Sequence, residues 1–235
     1  DVTASYNDGT YTSVGTATNA FTFYDAPTIT SVLNTTSDSQ YEGLAKASSA
    51  GTETMTITGT NFRRDAANSN AAPVVKVDGT SVSATWVSAT TLTFVAPEHD
   101  LGAVNVQVIN WDGQSVTASS AFTYSVGVPA QLEVVWSPSG VTNGVAFSPQ
   151  PTVKVKDGHG NLVTNSQYTG NVTASKKATG PTSTLGGTLA AAVSNGSATF
   201  SNLKFTGTSG SGFVLTFTLD SPYGSVSADS SSFSV

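Results

Sequence analysis

A hairpin pattern occurs three times in the 235-residue sequence, and it constrains the fold more than any other feature. Residues 105–113 form an alternating run that ends in Asp-Gly, and the chain then returns through Ser and Thr to Ala-Phe-Thr-Tyr at 121–124. Residues 1–9 and 20–23 repeat this order, and residues 214–235 contain a looser copy. An Asp-Gly turn between alternating runs is a strong hairpin signal, and its repetition indicates a modular β array.

The first copy differs from the other two in its spacing and in what it closes. From the turn glycine to the returning phenylalanine the interval is nine residues in the second and third copies (113 to 122 and 224 to 233) and twelve in the first (9 to 21). The second and third copies each close a domain-sized stretch, whereas the first closes nothing in this sequence. We expect residues 1–26 to be either a hairpin that a neighbouring subunit receives or the cut end of a preceding domain.

Composition favours an all-β fold and argues against several kinds of partner. Charged residues make up only 10% of the chain and the net charge is -6, so a basic stripe for nucleic acid or an anionic membrane is missing. The cysteine count of 0 excludes disulfides and thiolate metal sites. No apolar run approaches the roughly 20 residues of a membrane helix. We therefore expect no cofactor, no nucleic-acid partner and no membrane insertion, and the abundance of Ser, Thr and Gly favours an extracellular or cell-surface location.

Turn signals divide the sequence into residues 1–26, 27–126 and 127–235. The first boundary lies at Asp25-Ala26-Pro27, because proline interrupts a β ladder. In the two larger parts, short alternating runs spaced by about 8 to 12 residues predict β-sandwiches, with a polar connection at 34–51. The predicted strands are 27–32, 54–59, 74–77, 82–87, 91–95, 104–109, 116–124, 131–136, 149–156, 171–175, 186–192, 196–205 and 213–219.

The middle part contains six short motifs in a characteristic order. They are Pro27-Thr-Ile29, Met55-Thr-Ile57-Thr-Gly59-Thr-Asn61-Phe62, Val75-Lys-Val77-Asp-Gly79, Thr91-Leu92 with Pro97, Asn110-Trp-Asp112-Gly113 and Phe122-Thr-Tyr124. Together, over residues 27–126, they resemble the IPT/TIG domain, an immunoglobulin-like fold of receptors, transcription factors and bacterial surface proteins.

The two flanking parts carry further resemblances. Residues 1–25 resemble the last two strands of the same domain type. Residues from about 130 to 235, with an Asp-x-x-Gly-Asn turn at 157–161, resemble the bacterial Ig-like repeats of surface adhesins. These resemblances imply an all-β chain of tandem immunoglobulin-like β-sandwiches preceded by a β-hairpin.

Residues that could carry catalysis are scarce. The two histidines, His99 and His159, lie at a strand end and in a glycine turn, and a metal or acid–base role for either needs partners that the sequence does not place. We predict both to be solvated turn residues and the protein not to be an enzyme.

The carboxylates are expected to serve turns. Asp78, Asp112 and Asp157 each precede a glycine, where an aspartate can cap its own backbone. A Ca²⁺ ion that bridges the domains through Asp25, Asp100 or Asp157 is the alternative, but calcium needs several converging oxygen ligands and no dense acidic loop exists. Turn capping is therefore the favoured interpretation, and no metal site is predicted.

The three tryptophans differ in what their positions predict. Trp86 and Trp136 lie in alternating strands and are expected in a core or interface. Trp111 lies at a hairpin turn, where it either packs on its own hairpin or contacts a partner such as a glycan. Three Asn-x-Ser/Thr sequons are candidate N-glycosylation sites: Asn34, Asn171 and Asn195.

Taken together, these features predict a non-enzymatic extracellular structural subunit that assembles head to tail into a filament. The N-terminal hairpin would add to a neighbouring copy, because an unpaired hairpin with two apolar stripes is a liability in water, and a non-closing contact builds a filament. The candidate intersubunit anchors are its apolar residues, Val2, Tyr6, Tyr11, Val14, Phe21 and Phe23. The alternatives are a stalk fragment of a long modular adhesin and a glycan-binding accessory module that uses Trp111.

Overall fold

The structure, a computed structural model, describes residues 2–7, 12–17, 24–37, 39–136, 138–164 and 167–235. Across these ranges the chain contains strands, turns and bends and no helix, so the fold is all β as predicted. Accordingly, the described residues include no helical stretch with the length and apolarity needed to cross a membrane.

The chain begins with an antiparallel hairpin of β1 (Val2–Asn7) and β2 (Thr12–Ala17). Its register places Val2 opposite Ala17 and Asn7 opposite Thr12. Within the described residues, the two strands form a two-stranded sheet of their own. The turn predicted at 7–9 lies partly outside the described residues. The returning segment predicted at 20–23 lies wholly outside them.

The middle of the chain is a sandwich of two sheets. In chain order its strands are β3 (Thr28–Asn34), β4 (Lys46–Ser48), β5 (Thr54–Thr60), β6 (Val74–Val77), β7 (Thr80–Val82), β8 (Ala84–Ser88), β9 (Thr91–Val95), β10 (Gly102–Ile109) and β11 (Ser115–Ser125). One sheet has the order β3-β5-β9-β8 and the other the order β4-β11-β10-β6-β7. The connection expected to be only polar thus contains β4, which pairs in parallel with β11 and carries the chain from one sheet to the other.

Alternation along the strands explains how the two sheets enclose a core. In β5 the side chains of Met55 and Ile57 are fully buried, while the alternating Thr54 and Thr56 are partly exposed. On the opposite sheet, Val104, Val106 and Val108 of β10 are buried in the same period of two. The two inner faces therefore meet in one apolar cluster, which extends to Phe122 and Tyr124 of β11.

One predicted strand is in fact two strands, and the first of them follows a two-residue turn. β6 and β7 are joined by Asp78 and Gly79, which both have positive φ values of 43° and 84°. Two positive φ values match the twist of a tight hairpin, and Gly reaches them without steric cost. The strand predicted at 82–87 is consequently two strands, since β7 pairs with β6 and β8 belongs to the other sheet.

The rest of the chain forms a second apolar cluster. Its strands are β12 (Gln131–Val135), β13 (Thr152–Lys156), β14 (Asn171–Lys176), β15 (Ser183–Gly186), β16 (Ala190–Ala192), β17 (Ser197–Thr199), β18 (Lys204–Gly207), β19 (Leu215–Leu219) and β20 (Ser227–Asp229). They pair in the orders β12-β13-β17, β16-β14-β19-β20 and β15-β18. The cluster is rich in aromatic rings, with Trp136 packed on Phe147 and Phe233 at ring-centroid distances of 5.3 and 5.2 Å.

Two strands predicted in this part are shorter than expected. The run 186–192 is split between β15 and β16, because Gly187 turns the chain with a φ of 98°. The run 196–205 is likewise divided between β17 and β18. Bends and turns lie between these pieces, so the β15–β18 pair forms a separate small sheet.

A buried aspartate joins the two clusters. Asp157 is fully buried, and its Oδ2 accepts hydrogen bonds from Gly127 N at 2.9 Å and from Ser49 Oγ at 3.0 Å. Asn161 Nδ2 also donates to Ser49 Oγ at 2.9 Å. Burial acts to raise the pKa of Asp157, but the hydrogen bonds from Gly127, Asn161 and Ser49 outweigh it and lower that pKa below the ordinary value. A turn of the C-terminal part is thereby fixed to the middle part.

Candidate functional site

The two histidines pack more closely than solvated turn residues do. The ring of His99 stacks on Tyr124, with centroids 4.9 Å apart and planes within 14°. His159 Nδ1 lies 2.8 Å from Glu98 Oε1 and its Nε2 lies 3.4 Å from Asp100 Oδ1, so it faces carboxylates of the middle part. The prediction of two solvated histidines is therefore wrong, because one packs on a core ring and the other contributes to the joint between the clusters.

Two of the three turn aspartates act as predicted. Asp112 and Asp157 each accept a hydrogen bond from the backbone N–H two residues further on, at 3.1 and 3.0 Å. Asp78 differs, since its Oδ1 accepts from the N–H of Asn105 on β10 at 2.7 Å and not from its own turn. Among the described residues, no three His, Cys, Asp or Glu side chains converge as a metal site would require.

The candidate intersubunit anchors fall largely beyond the side-chain description. Val2, Tyr6 and Val14 lie in β1 and β2, where the backbone register is described. The other three anchors, Tyr11, Phe21 and Phe23, lie outside the described residues. Their role in assembly stays a prediction.

The three sequons lie in different environments. Asn34 is fully buried and its amide donates to Lys46 O at 3.2 Å, so the prediction that it accepts a glycan is wrong for the folded chain. Asn171 and Asn195 are exposed. For these two, glycosylation stays a prediction.

The tryptophans follow their strand and turn positions. Trp136 is buried, and Trp86 is half-buried with its Nε1 donating to Phe62 O at 3.0 Å. Trp111 has 52% of its surface exposed, which is unusual for so large an apolar side chain. This residue therefore marks the surface with the clearest capacity to bind something.

Trp111 borders a cleft of about 480 Å³ at one end of the middle sandwich. Four segments supply the walls: the residues before β3, the loop from β5 to β6, the strand β8, and the turn from β10 to β11. Six side chains define what the cleft presents: Tyr24, Arg63, Arg64, Asp65, Trp86 and Trp111. Its volume falls within the range of about 300–1,000 Å³ that is usual for ligand pockets.

The buried side-chain amide of Asn110 fixes the turn that carries Trp111. Asn110 is only 3% exposed, and its Nδ2 donates to Asn61 O at 2.8 Å while its Oδ1 accepts from Arg63 N at 3.1 Å. The turn closes through Gly113 N donating to Asn110 O at 3.0 Å, with a φ of 83° at the glycine. The indole is thus fixed relative to the loop that faces it.

Tyr24 forms the opposite side of the same aromatic wall. Its ring meets Trp111 edge to face, with centroids 6.0 Å apart and planes at 73°. Gln114 Nε2 donates to Tyr24 O at 2.7 Å, and Arg63 Nη1 donates to Asp25 O at 2.8 Å. The Arg63 guanidinium also lies 4.5 Å from the Tyr24 ring centre. The segment before β3 is therefore tied to the cleft by both main-chain and ring contacts.

Trp86 and Arg64 complete the lining. The Arg64 guanidinium lies 4.2 Å from the centre of the Trp86 ring, a cation–π contact. Asp65 is occupied by its own loop, since its Oδ1 accepts from the N–H groups of Ala67 and Asn68 at 3.0 and 3.2 Å. The cleft thus combines aromatic faces with cationic N–H donors, an arrangement suited to binding.

Sequence reasoning found Trp111 and missed the rest of the cleft. The sequence predicts no strand between residues 59 and 74, and it predicts Trp86 only as a core or interface residue. One signal was available, because the chain contains two arginines and they are adjacent, at Arg63 and Arg64. Their meeting with Tyr24 depends on contacts between distant segments, which no local pattern encodes.

Comparisons with solved structures give only weak likenesses. A β-glycosidase from Bacteroides vulgatus shares 15% identity at a TM-score of 0.36, over 90% of this chain and 25% of that one. A surface glycan-binding protein from Prevotella bryantii shares 13% at 0.33, over 88% and 41%. The extracellular region of plexin A4 shares 16% at 0.33, over 88% and 18%. The chain spans less than half of each of these proteins, and a search of curated proteins gives no match.

A family comparison identifies the middle of the chain. Residues 44–124 match the family model described as the IPT/TIG domain. This range contains the loop with Arg63 and Arg64, the strand with Trp86 and the turn with Trp111, whereas Tyr24 precedes it. The resemblances expected for 1–25 and 130–235 lie outside the match and stay predictions. The chain therefore carries an IPT/TIG domain, an immunoglobulin-like fold, at residues 44–124.

Proposed function

We propose that this protein is a non-enzymatic, extracellular carbohydrate-binding module whose cleft lies at the end of the IPT/TIG domain. The observation that carries the proposal is the placement of Trp111, which is 52% exposed and fixed beside Tyr24 at the mouth of a cleft of about 480 Å³. We take residues 27–126 and 127–235 as the two domains, a division that the two separate apolar clusters support.

The chemistry of sugars explains why such a cleft suits them. A pyranose ring has an apolar face of C–H groups, which packs on an exposed aromatic ring, and a rim of hydroxyls that need hydrogen-bond partners. Trp111 and Tyr24, which is 42% exposed, supply aromatic surface, and Arg64 supplies N–H donors at the rim. Exposed aromatic surface of this kind is costly to keep in water unless a ligand uses it.

The test is binding to a printed array of plant, microbial and animal oligosaccharides, followed by calorimetry with the best ligand. Trp111→Ala is expected to weaken that binding about 30-fold, the size of an interface hot spot of about 2 kcal/mol, while Trp111→Phe keeps a stacking ring and loses less. Val145→Ala serves as the control, because Val145 is also an exposed apolar residue but lies in the 127–235 part of the chain, outside the cleft. Unchanged affinity in Trp111→Ala, or no binding to any sugar, would contradict the proposal.

A second function, head-to-tail assembly into a filament, is favoured by the N-terminal hairpin. In the described residues, β1 and β2 pair only with each other, and an isolated two-stranded sheet is marginal in water. Addition of these strands to the sheet edge or groove of a neighbouring copy would satisfy their free edges.

Electron microscopy and sedimentation test this second function on the full chain and on a chain without residues 1–23. The truncation keeps Tyr24 and Asp25, which contact the cleft, so carbohydrate binding can be measured on the same sample. Filaments that disappear on truncation, with both domains still folded, are the expected result. A monomer in both samples excludes assembly by strand donation and leaves the hairpin as part of a stalk.

A further inference from the structure

The two arginines of the cleft differ in the contacts that their guanidinium groups make within the chain. Arg63 Nη1 donates to Asp25 O at 2.8 Å and lies 3.6 Å from Asp112 Oδ2, so this guanidinium serves the fold. Arg64 is exposed and contacts the Trp86 ring, and among the described residues it has no hydrogen bond or ion pair. Its N–H donors are therefore free for a ligand.

The position of Arg64 is held without using its hydrogen bonds. The contact of 4.2 Å with the Trp86 ring depends on the charge and the flat face of the guanidinium. Trp86 is itself fixed, because its Nε1 donates to Phe62 O. A guanidinium steadied in this way presents its planar fork of donors, which matches a carboxylate in two parallel hydrogen bonds.

The charge of the cleft contrasts with that of the chain. The chain has a net charge of -6, yet its two arginines both line this cleft. The aspartate in the lining, Asp65, accepts two backbone hydrogen bonds from its own loop. Asp112 lies beside Arg63 and not beside Arg64 in the described contacts. The Arg64 guanidinium, which has no ion pair among the described residues, therefore offers a positive charge for an anionic ligand group in the cleft.

We infer that the ligand is an acidic sugar, a uronate, whose ring packs on Trp111 and whose carboxylate pairs with Arg64. This inference rests on the proposed carbohydrate function and narrows it to a class of ligand. Sugar stacking alone would accept neutral and acidic rings equally, so the free arginine is what adds the preference for a carboxylate.

Calorimetry with matched pairs of oligosaccharides tests the inference. The probes are oligomers of galacturonate, mannuronate and glucuronate, each compared with its methyl ester, which keeps the ring and removes the charge. We expect the acidic member of at least one pair to bind about tenfold or more tightly than its ester, as a charge-assisted hydrogen bond implies. The preference should decrease as the salt concentration rises.

Variants of Arg64 separate charge from geometry. Arg64→Gln should remove the preference for the acid, because it weakens binding of the acid about tenfold more than binding of the ester, and Arg64→Lys should keep only part of the preference because the fork is lost. Lys204→Gln removes one exposed positive charge from the 127–235 part of the chain. It should change neither the affinity for the acid nor the affinity for the ester.

The outcomes distinguish this inference from the proposed function. Equal binding of acid and ester, or binding of neutral sugars only, with dependence on Trp111 in either case, overturns the uronate inference and leaves carbohydrate binding intact. A preference for the acid that survives Arg64→Gln also overturns it. Failure of every acidic and neutral probe to bind overturns both.

Discussion

Asp157 shows how a single carboxylate fixes the two halves of the molecule to each other. Substitution by alanine leaves Gly127 N and the Ser49 hydroxyl without their buried acceptor. Because an unsatisfied buried polar group costs about 1–3 kcal/mol, Asp157→Ala is expected to lower the free energy of unfolding by about 3 kcal/mol. Urea denaturation measures this, with Lys204→Ala as the control because Lys204 is exposed on β18, away from this joint.

Asp157 also makes the stability of the folded chain depend on pH in the acid range. The folded-state pKa of Asp157 lies below its ordinary value of 3.8, so the folded chain holds this proton less tightly than the unfolded chain. Its contribution to stability is full above that value and is lost as the pH falls through the folded-state pKa. Equal stabilities of Asp157→Ala and Lys204→Ala at neutral pH would contradict the role given to this joint.

Glu53 makes stability depend on pH in the opposite direction. Its Oε1 accepts from Ser48 N at 2.9 Å, but its Oε2 is buried without a partner among the described residues. Burial raises the pKa of Glu53 above its ordinary value of 4.5, against the lowering effect of the Ser48 hydrogen bond. The folded chain therefore holds this proton more tightly, and stability falls as the pH rises from about that value through the folded-state pKa.

Substitution by glutamine removes this titration. Thermal unfolding of the parent chain and of Glu53→Gln, followed from pH 4 to pH 8, is expected to show the variant gaining stability relative to the parent as the pH rises. A difference between the two melting temperatures that does not change with pH would show that Glu53 keeps an ordinary pKa in the folded chain.

At the scale of the element, the turn from β10 to β11 determines where Trp111 lies. Gly113 has a φ of 83° and open space where a Cβ would be, so Gly113→Ala introduces backbone strain without a steric clash. An L-residue in the left-handed region costs about 1–2 kcal/mol, and relief of that strain moves the indole. We expect lower stability and weaker carbohydrate binding together.

Gly186→Ala is the matched control for the turn. Gly186 also has open space at its Cβ position, and its φ is not in the left-handed region. Denaturation and calorimetry on both variants should show a loss for Gly113→Ala and little change for Gly186→Ala. Unchanged binding in Gly113→Ala would indicate that the turn geometry does not position Trp111.

The elements show which parts of the fold a sequence can predict. Strands such as β5 and β10 alternate over seven or eight residues and were predicted, because one buried face is enough to set the period. β4 was missed because it has three residues, too few to show a period. The split into β7 and β8 was missed because it depends on which sheet each short strand joins.

The cleft was less predictable than the strands for a related reason. The turn position makes Trp111 a candidate contact, with packing on its own hairpin as the alternative, and the structure shows it 52% exposed. The meeting of Tyr24, Arg64 and Trp86 depends on segments far apart in the chain, brought together by sheet order and by the buried amide of Asn110. A local pattern contains neither.

For the whole molecule, the proposed function requires that one aromatic cleft on a tandem β-sandwich bind carbohydrate. The three indole N–H groups report on it separately. Trp86 Nε1 donates to Phe62 O and Trp136 Nε1 donates to Pro149 O, whereas Trp111 is exposed at the cleft. Hydrogen exchange therefore distinguishes the Trp111 resonance, because the two hydrogen-bonded indoles exchange more slowly. A Trp86→Phe variant then assigns the other two resonances.

The decisive measurement is an NMR titration of these indole resonances with an oligogalacturonate and with its methyl ester. The cleft predicts a large shift for Trp111, a smaller one for Trp86 and none for Trp136, which lies in the core of the other cluster. A ligand that binds without moving the Trp111 resonance, or that moves Trp136 instead, would place carbohydrate binding elsewhere and contradict the claim.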